Sequence, residues 1–113
     1  MSDLYTSLST SVALRDAGAP QTGDLATYWC DGFSAPCVHS HCTLIHNGAT
    51  VIAYHPRAFR ADEIIEAMKP RGAMEFEFLD DGVVVWPWNR SCVSGSSFVE
   101  ALAQAWLAVL KEE

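Results

Sequence analysis

The sequence predicts an α+β fold built as one domain over residues 1–113. Three observations carry this: Asn47-Gly48 and Asp81-Gly82 each sit between β-prone runs, as hairpin turns do. Three other stretches space their apolar residues at helical intervals. The order helix, strand, hairpin, helix, hairpin, helix is segregated rather than alternating βαβ. Half of the 113 residues are hydrophobic and 19% are charged, which is enough apolar surface to offset chain entropy.

Asp3 can cap a first helix in which Leu4, Leu8, Val12 and Arg15 recur at steps of three or four, and Gly18 and Pro20 end it. After a polar loop at residues 21–24, the aromatic run Ala26-Thr27-Tyr28-Trp29-Cys30 predicts a short strand. Asn47-Gly48 then joins Thr43-Leu44-Ile45 to Thr50-Val51-Ile52-Ala53-Tyr54. A two-residue type I′ turn sets the register: His46 faces Ala49, Leu44 faces Val51 and Cys42 faces Ala53.

Pro56 breaks that strand. Ala61, Ile64, Ile65 and Met68 form the stripe of a second helix with Asp62 and Glu63 in its first turn, and Pro70 and Gly72 close it. Met74-Glu75-Phe76-Glu77-Phe78 alternates strictly, a half-buried strand, and Asp81-Gly82 turns it into Val83-Val84-Val85-Trp86 before Pro87. Residues 89–96 read as a loop. Ser97 and Glu100 have capping-box spacing at the start of a last helix that runs to about Lys111. Leu102, Trp106, Leu107, Val109 and Leu110 spread around that helix, so it must be buried on nearly all sides. In so small a domain this predicts that a second copy covers one side, a homodimer through the C-terminal helix.

The same reading narrows function. A net charge of −7 with seven scattered Lys and Arg argues against a nucleic-acid partner, because phosphate contacts need clustered cations. The loose group Arg57, Arg60, Lys69 and Arg71 reads as a solvated helix face. The longest apolar stretch, residues 98–110, is shorter than the ~20 residues a membrane span requires. The start Met1-Ser2-Asp3-Leu4 has no basic segment before an apolar run, so the expectation is a cytoplasmic protein with no membrane partner.

One cluster could carry chemistry. Cys30, Cys37, His39, His41, Cys42, His46 and His55 comprise all four histidines and three of the four cysteines. Imidazole and thiolate are ligands zinc prefers, so this group is the candidate metal site and zinc the candidate cofactor. The spacing lacks paired ligands two to four residues apart in two knuckles. If the segment is extended, Cys37 and His41 stand roughly 13 Å apart, too far for one ion. Cys42 and His55, diagonal neighbours in the hairpin, supply only two ligands. The favoured reading is therefore small buried cysteines in a reducing compartment and histidines on a polar loop, ahead of metal binding and of disulfide pairing. With no recognisable nucleophile elbow, phosphate loop or His-Glu-x-x-His helix, no enzyme is predicted and no catalytic residue is assigned.

The candidates for partner binding lie further along. Trp86-Pro87-Trp88-Asn89-Arg90 sets two indoles beside a guanidinium, a composition found in interface hot spots. Glu75, Glu77, Asp80 and Asp81 form the densest acidic patch and could meet a basic protein surface, though such runs also serve as solvated strand faces.

Four pieces, residues 13–21, the Tyr28-Trp29 strand, the helix Ala61 to Ala67 and the run Phe98 to Ala103, give the chain a layout that resembles short accessory proteins of tailed phages and prophages. The resemblance covers most of the chain and leaves out the Cys/His-rich segment. It implies a protein that occupies a surface of a host protein, as anti-defence factors such as anti-CRISPR proteins do, and it carries over no catalytic or binding residue.

Overall fold

A computed structural model describes residues 4–23, 26–30, 35–71, 74–87 and 92–112. The architecture is α+β. Its elements run α1 (Leu8–Asp16), β1 (Thr27–Tyr28), β2 (His41–His46), β3 (Ala49–Tyr54), β4 (Arg57–Ala58), α2 (Ala61–Met68), β5 (Met74–Leu79), β6 (Gly82–Pro87), β7 (Val93–Gly95) and α3 (Phe98–Glu112). A single 3-10 turn, Lys69–Arg71, follows α2.

The first helix begins later than its apolar spacing predicts, and Asp3 lies outside the described residues. Ser7 is the cap, its hydroxyl accepting from the Thr10 N–H. The residues before it run extended: the Thr6 N–H donates to the Phe59 carbonyl at 2.9 Å and Tyr5 bridges Arg60. Glu100, far along the chain, completes the cap. Its carboxylate accepts from the Ser7 N–H at 3.2 Å, the Ser7 hydroxyl at 3.1 Å and the Thr10 hydroxyl at 2.8 Å. A carboxylate is favoured there because it meets the unpaired N–H groups and positive end of the helix. The expected capping box of α3 is consequently half used: the Ser97 hydroxyl accepts from the Glu100 N–H, while the Glu100 side chain serves α1.

Helix α3 is the core. Ala101, Leu102, Ala103, Ala105, Trp106, Leu107 and Val109 are buried, and α1, α2, β6 and β7 cover them. The alanines let neighbouring backbones close in, and the Trp106 ring meets Phe59 edge-on at 4.9 Å. Its exposed described positions are polar: Gln104, Lys111 and Glu112. The apolar circumference that suggested a second chain is thus buried by this chain itself, and the motive for a dimer through α3 is removed.

The strands form three small antiparallel sheets: β1–β4, β2–β3 and β5–β6–β7. In the last, Phe76 and Phe78 lean on Phe98 of α3, with ring centroids 5.1 and 5.6 Å apart. Val83 and Val85 are buried on the same face. The turn falls at Asp80-Asp81, with Leu79 opposite Gly82, one residue earlier than Asp81-Gly82 predicts. Strand β7 lies inside the segment expected to be a loop. It runs so close to α3 that a Cβ on Gly95 would stand 2.8 Å from the Ala101 Cα.

The hairpin of β2 and β3 has the predicted register in full, His46 with Ala49 through His41 with Tyr54. Asn47 and Gly48 take the positive φ values, 51° and 79°, that a type I′ turn demands. Below Tyr54 the two limbs are joined by the His55 N–H donating to the Ser40 carbonyl, then part around β1. Tyr28 exchanges backbone hydrogen bonds with Cys37 on one side and pairs with Arg57 on the other. Among the described elements, β2 and β3 pack only on each other. The hairpin is an arm, which fits a longest dimension of 51 Å and a radius of gyration of 15.4 Å, above the ~13 Å of a compact domain of this size.

Candidate functional site

The structure divides the Cys/His cluster. Cys30 and Cys37 are joined in a disulfide, their Cα atoms 6.8 Å apart, which ties the residue after β1 to the root of the arm. This overturns the favoured reading of reduced, buried cysteines, and it removes two of the seven candidate ligands. Cys42 is half-buried and Cys92 exposed, both as free thiols. His41 and His46 stand at opposite ends of β2, roughly 17 Å apart at ~3.3 Å per residue. His41 packs its ring against Tyr54 at 5.9 Å and shares a hydrogen bond with the Ser40 hydroxyl, while His39 is exposed. Cys42 does pair with Ala53, which leaves His55 diagonal to it as expected. Among the described residues, no three His, Cys, Asp or Glu side chains converge on a point where a metal ion could sit.

The acidic and aromatic candidates are brought together instead. Strand β5 sends Met74, Phe76 and Phe78 toward α3, so Glu75 and Glu77 lie on the outer face. Glu75 stands opposite Trp86 and Glu77 opposite Val84, which is itself opposite Ser94 of β7. Asp80 and Asp81 form the turn at the end of this face, and all four carboxylates are exposed. Trp86 is 37% exposed, an indole half-sunk between carboxylate neighbours. Trp88 and Arg90 lie outside the described residues. No Lys or Arg occurs between residues 74 and 87.

Of the expected solvated basic face, Lys69 is exposed and Arg60 partly so, but Arg57 is not. Arg57 is largely buried, paired with Glu63 at 2.6 Å, donating to the carbonyls of Pro20 and Thr22, and stacked 4.5 Å over the Phe59 ring. It is a structural clamp between the 20–22 loop and α2, and Glu63 closes it by also accepting from the Arg60 N–H. Two of the surface grooves are lined by described residues. One, of about 470 Å³, lies between α2 and α3 and is apolar, lined by Leu4, Ala61, Ile65, Phe98 and Val99 beside Arg60 and Asp62. The other, of about 440 Å³, runs along Thr27, Tyr28, Val38 and Ser40. Neither holds a thiol or imidazole beside a carboxylate, the arrangement an activated nucleophile needs.

The only role the sequence suggests for the arm is that of candidate metal ligands, and the exposure of its apolar side chains was not expected. Ile45 is 81% exposed, Tyr54 71% and Ile52 54%. The signal was present as an absence: residues 35–56 contain no Asp, Glu, Lys or Arg. No helix among the described residues is long and apolar enough to cross a membrane. Neither a protein-family model, nor a curated protein, nor a solved structure matches this chain.

Proposed function

We propose that this chain is a protein-binding module that docks onto a basic surface of another protein through the outer face of β5–β6–β7. The observation that carries the reading is the gathering of Glu75, Glu77 and Trp86 as neighbours on one solvent-facing sheet surface, closed at its end by Asp80 and Asp81. An acidic field steers association with a basic partner, and a rigid indole supplies apolar contact at small entropic cost. The face is stiff because the other side of the same strands is anchored on Phe98. The resemblance to short phage accessory proteins supports a host protein as the partner, with inhibition of a host defence complex as the consequence of occupying it.

The test is affinity capture from bacterial lysate with the wild-type chain and with the double variant Glu75→Lys/Glu77→Lys, read by quantitative mass spectrometry at low and high salt. A protein retained by the wild type, lost by the charge reversal and weakened by salt is the expected outcome. Equal retention by both chains would overturn the reading. A defence-interference assay with the same pair then distinguishes an inhibitor from a simple binder.

A further inference from the structure

We propose that the β2–β3 arm is a self-association surface, on which two copies of this chain pair their β3 edges antiparallel about a two-fold axis to form a four-stranded sheet. This goes beyond the acidic face and does not depend on it.

The arm is incomplete alone. A two-stranded hairpin is marginal in water, and three or more strands are needed for independent stability. No described element covers either face: Leu44 and Val51 are exposed on one side, Ile45, Ile52 and Tyr54 on the other. Its register fixes which backbone groups point outward. Because the His55 N–H bonds the Ser40 carbonyl, Cys42, Leu44 and His46 exchange hydrogen bonds with Ala53, Val51 and Ala49. The N–H and C=O groups of Thr50, Ile52 and Tyr54 therefore face away from β2, on an edge that no described strand pairs.

A second copy fits this edge for three reasons. Each chain carries a net charge of −7, so two copies repel one another over most of their surface. The arm is where that repulsion is least, since residues 35–56 carry no Asp, Glu, Lys or Arg. The edge also lacks the charges, prolines and bulges with which monomeric proteins discourage edge pairing. Finally, the pairing is self-complementary. A two-fold axis through Ile52 sets Ile52 against its copy and Thr50 against Tyr54, both favourable cross-strand pairs, with about six new backbone hydrogen bonds. The β2 edge would instead set Thr43 against Thr43 and His41 against Ile45, a poorer apolar match.

The experiment is sedimentation velocity from about 5 to about 500 µM, a range wide enough for mass action to show, on the wild type, Ile52→Lys and Thr43→Lys. Thr43 faces Ile52 across the same hairpin, so the two variants add the same charge to the same face and differ only in which edge receives it. Thermal unfolding of each reports whether the body is intact. A wild-type dimer whose dissociation constant rises at least tenfold in Ile52→Lys and stays within about threefold in Thr43→Lys supports the proposal. A wild type that remains monomeric overturns it, as does a dimer that survives Ile52→Lys. Loss of the dimer in both variants assigns the contact to a face of the arm and overturns β3-edge pairing. Glu75→Lys/Glu77→Lys lies off the arm and lowers the net negative charge, so it should not weaken the dimer, and failure here and failure of the acidic-face reading are distinguishable.

Discussion

The molecule contains two hairpins of the same length, six residues paired with six, and they have opposite fates. The β5–β6 hairpin buries Val83 and Val85 of β6 against α3, rests Phe76 and Phe78 on Phe98 with Phe78 still largely exposed, gains β7 as a third strand, and carries Glu75, Glu77, Asp80 and Asp81 in water. Among the described elements the β2–β3 hairpin has no third strand and no helix beneath it, and it has no Asp, Glu, Lys or Arg, yet it keeps Ile45, Ile52 and Tyr54 in solvent. Apolar content does not separate the two. What separates them is what lies beneath and where the polar residues fall: β6 sets Val83 and Val85 into the core and the alternation of β5 puts its carboxylates on the opposite face, whereas β2 and β3 place apolar residues on both sides.

The sharpest way to break the comparison is to place a carboxylate in each hairpin. Val85→Asp buries an unpaired charge at a fully buried position against α3, and the expected loss exceeds about 4 kcal/mol, enough to unfold a marginal domain. Ile45→Asp should shift stability by no more than about 0.5 kcal/mol, because that side chain is already in water. Urea unfolding followed by tryptophan fluorescence measures both. If Ile45→Asp proved as damaging as Val85→Asp, the arm would be part of the core and not a projection from it.

How much of this was legible follows from which interactions are local. The Asn47-Gly48 turn and its full register, the α2 stripe from Ala61 to Met68 and the shared face of Met74, Phe76 and Phe78 match the structure, because each is decided within about ten residues by backbone preference and side-chain period. The half-buried strand expected there is instead mostly exposed, Phe78 at 68%, because burial depends on how far α3 reaches beneath it. Strand β7 was not, because Val93-Ser94-Gly95 has no period to detect and exists through its pairing with β6 and the room Gly95 leaves for α3. The start of α1 was misplaced for the same reason: its cap is completed by Glu100 from the far end of the chain. Arg57 read as a surface cation because nothing in the sequence says that Glu63 and Phe59 will enclose it. At the candidate site, the acidic face could be read from β5 and β6 alone. The Cys30–Cys37 bond, and with it the loss of two candidate metal ligands, depends on Tyr28 pairing with Cys37, a contact across a loop.

That bond offers a sharper comparison of intermediate size, since it ties the arm's root and touches nothing in the other hairpin. Its cysteines are separated by 7 residues, and closing so short a loop constrains the unfolded chain by roughly 2.5 kcal/mol on the chain-entropy account. Reduction, or the Cys30→Ser/Cys37→Ser variant, should therefore lower stability by about 2 kcal/mol. Amide exchange should quicken at the forked root, residues 37–41 and 54–57, and stay unchanged in β5 and β6. A uniform rise in exchange across both hairpins would show that the disulfide supports the whole fold and not the arm.

One glycine in each region gives a further contrast, and the two differ in kind. Gly95 leaves space: a methyl group there would enter the backbone of α3 at Ala101, so Gly95→Ala forces β7 and the helix apart and should cost about 2 kcal/mol of global stability, as overpacking does. Gly48 has open space around it but a φ of +79°, so Gly48→Ala meets no neighbour and suffers only backbone strain of about 1 kcal/mol. Because the arm opens without the body, that strain should appear as faster amide exchange in β2 and β3, with the global unfolding midpoint nearly unmoved. The same loosening should weaken self-association through β3, since an arm that must first be ordered pairs less tightly than one already formed. A Gly48→Ala midpoint lowered as far as that of Gly95→Ala would mean that the two hairpins unfold as one unit, and the distinction between a buried hairpin and a free one would fail.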